Sequence, residues 1–158
     1  MTKCILLSVG TLKEQYLSDA IAEYKKRLSA YASVEEISVK EERLSDESSA
    51  AVTAALEAEA DRILAKIPQD AFVVALCIEG KAVSSEELAE LIGQARDERG
   101  KICFIIGSSY GLSPRVKSRA DARISFSRMT FPHQLMRVIL SEAVYRSFTI
   151  LAGKRYHK

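Results

Sequence analysis

What this chain lacks narrows its chemistry before any motif is weighed. It has three cysteines, Cys4, Cys77 and Cys103, with no Cys-x-x-Cys and no neighbouring histidine to complete a metal set. Each lies within an apolar run (CILLSV, FVVALCI, ICFII), so all three read as small buried hydrophobes in a reducing compartment. No apolar run approaches the ~18 uncharged residues a membrane span needs. The first run, Cys4 to Val9, is too short for a signal-peptide core, so the expected location is cytoplasmic, with no membrane partner. Gly-x-Gly-x-x-Gly, a P-loop lysine, a Ser-His-Asp set, His-Glu-x-x-His and an aspartate cluster for magnesium are all missing. Dinucleotide, triphosphate, hydrolase and phosphoryl-transfer chemistry therefore start low, and no metal site is expected. There is no internal repeat, low-complexity stretch or linker.

What is present is an uneven distribution of charge. Residues 101–158 hold eleven Lys/Arg against Asp121 and Glu142, a net +9, whereas residues 1–100 hold twelve Lys/Arg against nineteen Asp/Glu, a net −7. The whole-chain value of +2 thus hides a dipolar molecule, and a basic half points to a polyanionic partner or to a solvated cationic face. At 158 residues the chain is one ordinary domain, long enough to bury about two-thirds of its unfolded surface.

Strand and helix patterns alternate. Cys4 to Val9 reads as a strand, and Thr11 to Glu14 has capping-box spacing ahead of a helix to about Tyr31. Val34 to Lys40 alternates imperfectly, as an edge strand does. Ser45 to Ile67 is Ala-rich with Val52, Leu56, Ile63 and Ile67 on one stripe, and Pro68 stops it. Ala71 to Ile78 is apolar enough for a strand covered on both faces. Ser84 to Glu87 is a second capping box, opening a helix to about Arg99. Lys101 to Ile106 is another buried strand. Ser113-Pro114 starts a short helix to about Arg119, and Arg123 to Ser127 is a short strand. Pro132 opens a long helix whose apolar face includes Leu135, Met136, Ile139, Leu140, Ala143, Val144 and Phe148, with Gly153 at its end. The alternation predicts an α/β fold, a mostly parallel sheet flanked by helices.

Ligands of such sheets sit beyond the carboxyl ends of strands, which selects three junctions: Leu76 to Lys81, Gly107 to Gly111 and Ser127 to Pro132. Gly107-Ser-Ser-Tyr-Gly111 can present amides and hydroxyls to a ligand, or can simply be a turn needing two glycines. In Ser127-Arg-Met-Thr-Phe-Pro132, Met129 and Phe131 either pack under a neighbour or line an apolar slot for a flat heterocycle. Tyr156-His157-Lys158 either frays, as termini do, or folds onto a substrate by stacking and by proton or phosphate contacts. His133, near the start of the last helix, reads as a loop brace.

Together, Ile106-Gly107-x-x-x-Gly111-Leu-Ser-Pro114, Ile124-Ser-Phe-Ser-Arg-Met-Thr-Phe-Pro-His-Gln134, Tyr145-Arg146-x-Phe-x-Ile150 and Gly153-x-x-Tyr-His157 resemble the large-subunit ribosomal RNA pseudouridine N3-methyltransferase family, methyltransferase H, of the SPOUT class. The likeness extends over the whole length, with Val9-Gly10 and Leu76-x-x-x-Gly80-Lys81 included. It implies one SPOUT domain over residues 1–158, a C-terminal trefoil knot, a homodimer, S-adenosylmethionine as cofactor, and methylation of a pseudouridine in 23S rRNA of the assembled 70S ribosome, with no DNA partner. Family cofactor contacts fall on Leu76, Gly107, Ser127, Arg128, Met129, Thr130, Phe131 and Pro132. Arg146, Tyr156 and His157 match positions at the methyl-acceptor side, with Lys158 beside them. Two departures stand out. Ser108 replaces a usual second glycine, so the backbone there must avoid positive φ. Lys154-Arg155 replaces a frequent acid, which should strengthen phosphate contact. A non-enzymatic RNA-binding module on the ribosome is the rival reading, and a nicotinamide enzyme on a similar sheet is a weaker one; cofactor binding separates all three.

Overall fold

The computed structural model describes residues 1–158. Its elements follow in strict alternation: β1 (Thr2–Val9), α1 (Gln15–Leu28), β2 (Ala32–Val39), α2 (Ser49–Lys66), β3 (Phe72–Ala82), α3 (Ser85–Arg99), β4 (Lys101–Ile106), α4 (Pro114–Arg119), β5 (Ala122–Ser125) and α5 (His133–Leu151). All strand pairs are parallel, in the order β2-β1-β4-β3-β5. The apolar strands β1, β3 and β4 therefore occupy the middle, and the charged β2 lies at an edge, as their compositions require.

Side chains alternate across the sheet, which divides the core in two. On one face Cys4, Leu6, Val74, Ile102 and Phe104 pack against Leu28 of α1, Leu88 and Ile92 of α3, and Leu140, Val144 and Phe148 of α5. On the other face Ile5, Leu7, Val73, Cys103 and Ile105 meet Ala60 and Ile63 of α2 and Val116 of α4. No helix is long and apolar enough to cross a membrane.

The local signals were realised unevenly. The Ser84 hydroxyl accepts from Glu87 N–H at 3.1 Å and the Glu87 carboxylate accepts from Ser84 N–H at 2.8 Å, a complete capping box. Thr11 to Glu14 forms none: α1 begins at Gln15 with Glu14 as an N-cap lacking a side-chain bond. The reason is tertiary, since Lys13 N–H donates to the Gln134 side chain at 3.3 Å, holding that segment extended against α5. Of the expected α2 stripe, Ile63 is buried and Ile67 packs against the core, but Val52 and Leu56 are only half-buried, and the buried face is completed by Ala55, Glu59 and Ala60. Ile78 is 65% exposed, so the end of β3 leaves the core instead of being covered on both faces. Cys4 and Cys103 are buried, their thiols pushed up to about 12 by desolvation; Cys77 is only half-buried.

The departure of β3 matters for the site. Leu76 pairs with Ile124 of β5, and after an excursion at 77–80 Lys81 pairs with the same Ile124. The strand returns so closely that a Cβ on Gly80 would lie 2.6 Å from the Ile124 carbonyl carbon. By contrast Gly153 has φ +68° with open space around it, and serves as the left-handed end of α5. Gly80→Ala should therefore cost about 3 kcal/mol in urea unfolding, because backbone has to move, and Gly153→Ala about 1–2 kcal/mol from φ alone; equal losses would mean the 77–80 excursion is not tightly held.

Candidate active site

The three junctions meet. The β3 excursion, the loop after β4 and the loop after β5 enclose a cleft of about 280 Å³, lined by Leu76, Ile106, Leu112, Phe131 and Met136 among apolar groups and by Ser108, Ser127, Thr130 and His133 among polar ones. Its volume is close to the ~300 Å³ at which small-molecule sites begin.

Each wall follows from local chemistry. Gly107 is required by a close approach: a Cβ there would sit 2.2 Å from the Gly111 carbonyl oxygen. Gly111, at φ +93°, closes the turn by donating its N–H to the Ser108 carbonyl at 2.9 Å. The loop is thus both a tight turn and a cleft wall. No residue other than glycine has positive φ, so Ser108 fits without left-handed strain, with its side chain buried.

The loop after β5 is held by its own hydroxyls. Ser125 Oγ donates to the Ser127 carbonyl at 3.0 Å, and Ser127 Oγ accepts from Met129 N–H at 2.9 Å. The amides of Thr130 and Phe131 make no backbone hydrogen bond, so they are free to bind a ligand. Met129 is 69% exposed at the rim and Phe131 faces the cleft; this loop lines a slot rather than packing under a neighbour. At the mouth, Lys117 of α4 pairs with Glu79 of the excursion, holding that carboxylate below its usual range. Of the cofactor residues expected from sequence, Leu76, Gly107, Ser127, Met129, Thr130 and Phe131 line the cleft, while Arg128 and Pro132 stand exposed beside it. Ser108, part of the Gly107–Gly111 loop read from sequence, also lines it, as do Lys117 and Met136, which carry no motif that would single them out.

The tail forms a second cluster. Glu142 of α5 accepts from Arg146 Nε at 2.9 Å, from Arg146 Nη2 at 2.6 Å and from the Tyr156 hydroxyl at 3.0 Å. The Arg146 guanidinium lies 4.8 Å over the Tyr156 ring, which meets Tyr145 edge-on at 4.8 Å. Arg146 Nη1 is 3.1 Å from His157 Nδ1, and His157 Nε2 is 2.8 Å from Glu86 at the start of α3. A guanidinium only donates. Nδ1 must therefore accept, which places the ring proton on Nε2, facing Glu86. Terminal fraying is thereby ruled out for Tyr156 and His157. None of Arg146, Tyr156 and His157 lines the cleft, and Arg146 lies thirteen residues along α5 from His133, about 20 Å of helix axis.

Tyr156 is pushed up to about 12, first by desolvation and then by its bond to Glu142. The phenol is neutral at physiological pH and can donate but not act as a base. Since the folded value exceeds the ordinary ~10, docking of the tail is fully stabilised below pH ~10 and weakens as pH rises toward 12. Ultraviolet titration of wild type minus Tyr156→Phe should show one phenol ionising near 12; a midpoint near 10 would mean the tail is undocked.

Residues 2–157 match the family described as Predicted SPOUT methyltransferase. A Bacillus pumilus (strain SAFR-032) protein named Ribosomal RNA large subunit methyltransferase H is 50% identical over 155 residues, 97% of this chain and 98% of that one. A Listeria monocytogenes serovar 1/2a protein of the same name is 51% identical over the same shares. Among solved structures, a probable methylase family protein from Haemophilus influenzae Rd KW20 is 14% identical, covers 99% of this chain and 70% of its own, and gives a TM-score of 0.51; that likeness concerns the fold alone.

Proposed function

The chain belongs to the SPOUT methyltransferase family, and from that premise we propose that it transfers a methyl group from S-adenosylmethionine to N3 of a pseudouridine in 23S rRNA of the assembled 70S ribosome. The observation that carries the reading is the single cleft that Leu76, Gly107, Ser127 and Met129 to Phe131 build at the carboxyl ends of three adjacent strands. Identity of 50–51% over 97% of the chain to relatives named Ribosomal RNA large subunit methyltransferase H supports the substrate class.

The cleft suits the cofactor. Leu76, Ile106 and Phe131 offer apolar walls for adenine, and the free amides of Thr130 and Phe131 can recognise its ring edge. When bound, S-adenosylmethionine supplies a methyl carbon made electrophilic by the adjacent sulfonium. The chain must then position the acceptor in line, exclude water and help N3 lose its proton. A uracil-type N3 is a weak acid, and the Arg146 charge favours its anion. Tyr156 gives its one hydroxyl proton to Glu142, so it meets the base with its hydroxyl oxygen as an acceptor. His157 has Nδ1 occupied by Arg146 and Nε2 facing Glu86, so it positions rather than abstracts, and loss of the N3 proton needs no dedicated side chain.

A second copy completes the site. Cleft and tail lie apart on one chain, and a homodimer in which the tail of one copy faces the cleft of the other unites them. The knot expected of the family belongs to the same proposal: residues after β5 thread beneath the 77–84 connection, consistent with the backbone contact between Gly80 and Ile124. The free cations Lys154, Arg155 and Lys158 then meet rRNA phosphates.

Labelled methyl groups from S-adenosylmethionine should appear in 23S rRNA of 70S ribosomes lacking the modification, and not in separate subunits or free rRNA. Cofactor binding without label would point to another RNA, and neither would favour an RNA-binding module. Arg146→Ala should lower turnover at least a hundredfold at saturating ribosomes. Mixing Gly107→Ala chains with His157→Ala chains should restore about a quarter of wild-type activity, as random dimers with one intact site predict; no recovery after subunit exchange would rule out a shared site.

A further inference from the structure

The hydrogen bonds of the tail decide what kind of group it can offer a substrate. Glu142 Oε1 collects three donors: Arg146 Nε at 2.9 Å, Arg146 Nη2 at 2.6 Å and the Tyr156 hydroxyl at 3.0 Å. A phenol has one proton and two lone pairs, so this bond uses the only proton Tyr156 has, and its oxygen takes part in no other hydrogen bond. The two nitrogens of His157 are both engaged, by Arg146 at 3.1 Å and by Glu86 at 2.8 Å. Arg146 can only donate. Among the three tail residues the Tyr156 oxygen is therefore the one free acceptor.

That oxygen is also held in place. The Arg146 guanidinium lies 4.8 Å over the Tyr156 ring, and Tyr145 meets the ring edge-on at 4.8 Å. Glu142 sits four residues before Arg146 on α5 and is paired with it, so one carboxylate aligns both the cation and the phenol.

Pseudouridine and uridine differ in a way that such an acceptor can read. Pseudouridine carries its ribose on C5 rather than N1. With the glycosidic bonds superimposed, both rings present N3–H between two carbonyls, and they differ at one edge position: N1–H in pseudouridine, C5–H in uridine. N1 and N3 of pseudouridine flank the same carbonyl, so a group bonded to N1–H also sets where N3 points. A phenol free to donate would meet a ring carbonyl, which both nucleosides offer, and would not tell them apart.

We infer that Glu142 is a positioning residue that sets specificity for pseudouridine over uridine: by taking the Tyr156 proton it leaves the phenol oxygen as an acceptor, which N1–H of pseudouridine satisfies and C5–H of uridine does not. The inference rests on the functional reading above, in which the tail meets the base. Uridine is rejected because it leaves a desolvated acceptor unpaired.

Two measurements test it: methylation rates on 70S ribosomes carrying either pseudouridine or uridine at the methylated position, and ultraviolet titration of the phenol. Wild type should prefer pseudouridine about tenfold, the scale of one hydrogen bond with its unpaired alternative. Tyr156→Phe should bring the preference below about twofold, and Glu142→Ala to about threefold, since the oxygen stays but its proton is released. A residue that merely supports the fold would lower both rates alike, so an unchanged preference in Tyr156→Phe or Glu142→Ala overturns the inference. Desolvation first and the Glu142 bond second push the Tyr156 phenol up to about 12; in Glu142→Ala the midpoint should fall, and an unmoved midpoint would show that Glu142 does not hold the proton. If Glu142→Ala does not fold, Tyr156→Phe carries the preference and Glu142→Gln, which removes the charge and keeps the shape, carries the titration. Label on neither ribosome with wild type sinks the functional reading and the inference with it, whereas equal label on both overturns the inference alone.

Discussion

Where β3 leaves β5 and returns to it, two backbones touch with no side chain between them, and the cleft depends on that contact. Ile124 pairs with both Leu76 and Lys81, so residues 77–80 are forced out of the sheet. They become a wall carrying Cys77, Ile78 and Glu79. A second close approach, Gly107 against Gly111, sets the opposite wall. Both rely on the absence of a Cβ, not on unusual dihedral angles, since neither Gly80 nor Gly107 has positive φ. Between these two walls the loop after β5 brings the free amides of Thr130 and Phe131, and free amides in an apolar slot are what recognition of a flat heterocycle needs.

The charge asymmetry between the two parts of the chain is mostly consumed internally. Of the eleven cations after residue 100, Lys101, Arg115, Lys117, Arg119 and Arg146 are in ion pairs, and Arg137 is buried, donating to the Gly10 carbonyl at 3.1 Å and to Ser38 Oγ at 3.3 Å. Three of these pairs reach back to acids of the first hundred residues: Asp70, Glu57 with Asp61, and Glu79. The dipole read from composition is therefore in part the mechanism by which the two parts of the chain are fastened together. What remains for a polyanion is a smaller set, Arg123, Arg128, Lys154, Arg155 and Lys158, and three of the five are in the tail.

Strand positions and the three junctions were legible because apolar runs ending at glycine have few alternative readings. Helix details were less so. Ser84 to Glu87 and Thr11 to Glu14 have the same spacing, yet only the first caps a helix; the second is claimed by Gln134, 121 residues away from Lys13, which no local pattern can announce. On α2 the large aliphatics were half a guide: Ile63 and Ile67 face the core, whereas Val52 and Leu56 are only half-buried. The face toward the sheet uses Ala55 and Ala60, and in an Ala-rich amphipathic helix a buried Glu59 is indistinguishable from the solvated acids around it. The cleft could be placed from strand ends, but the ties from Glu57 and Asp61 of α2 to Ser113 and Arg115 could not.

The tail shows why a motif alone does not locate a site. Tyr156 and His157 belong to a hydrogen-bonded network through Arg146 and Glu142, yet that network lies well away from the cleft along α5. Within one copy the two sets of residues cannot act on one pair of reacting atoms. Either the tail serves only to anchor the C-terminus, or a neighbouring copy brings it to the cleft. Anchoring accounts for the Tyr156 ring packed on Tyr145, but it needs neither a guanidinium held at the end of an ion pair nor an imidazole bridged between Arg146 and Glu86. A cluster that keeps one cation, one neutral phenol and one oriented imidazole within reach of solvent is better suited to meeting an electron-rich base, and this physical argument favours the shared site.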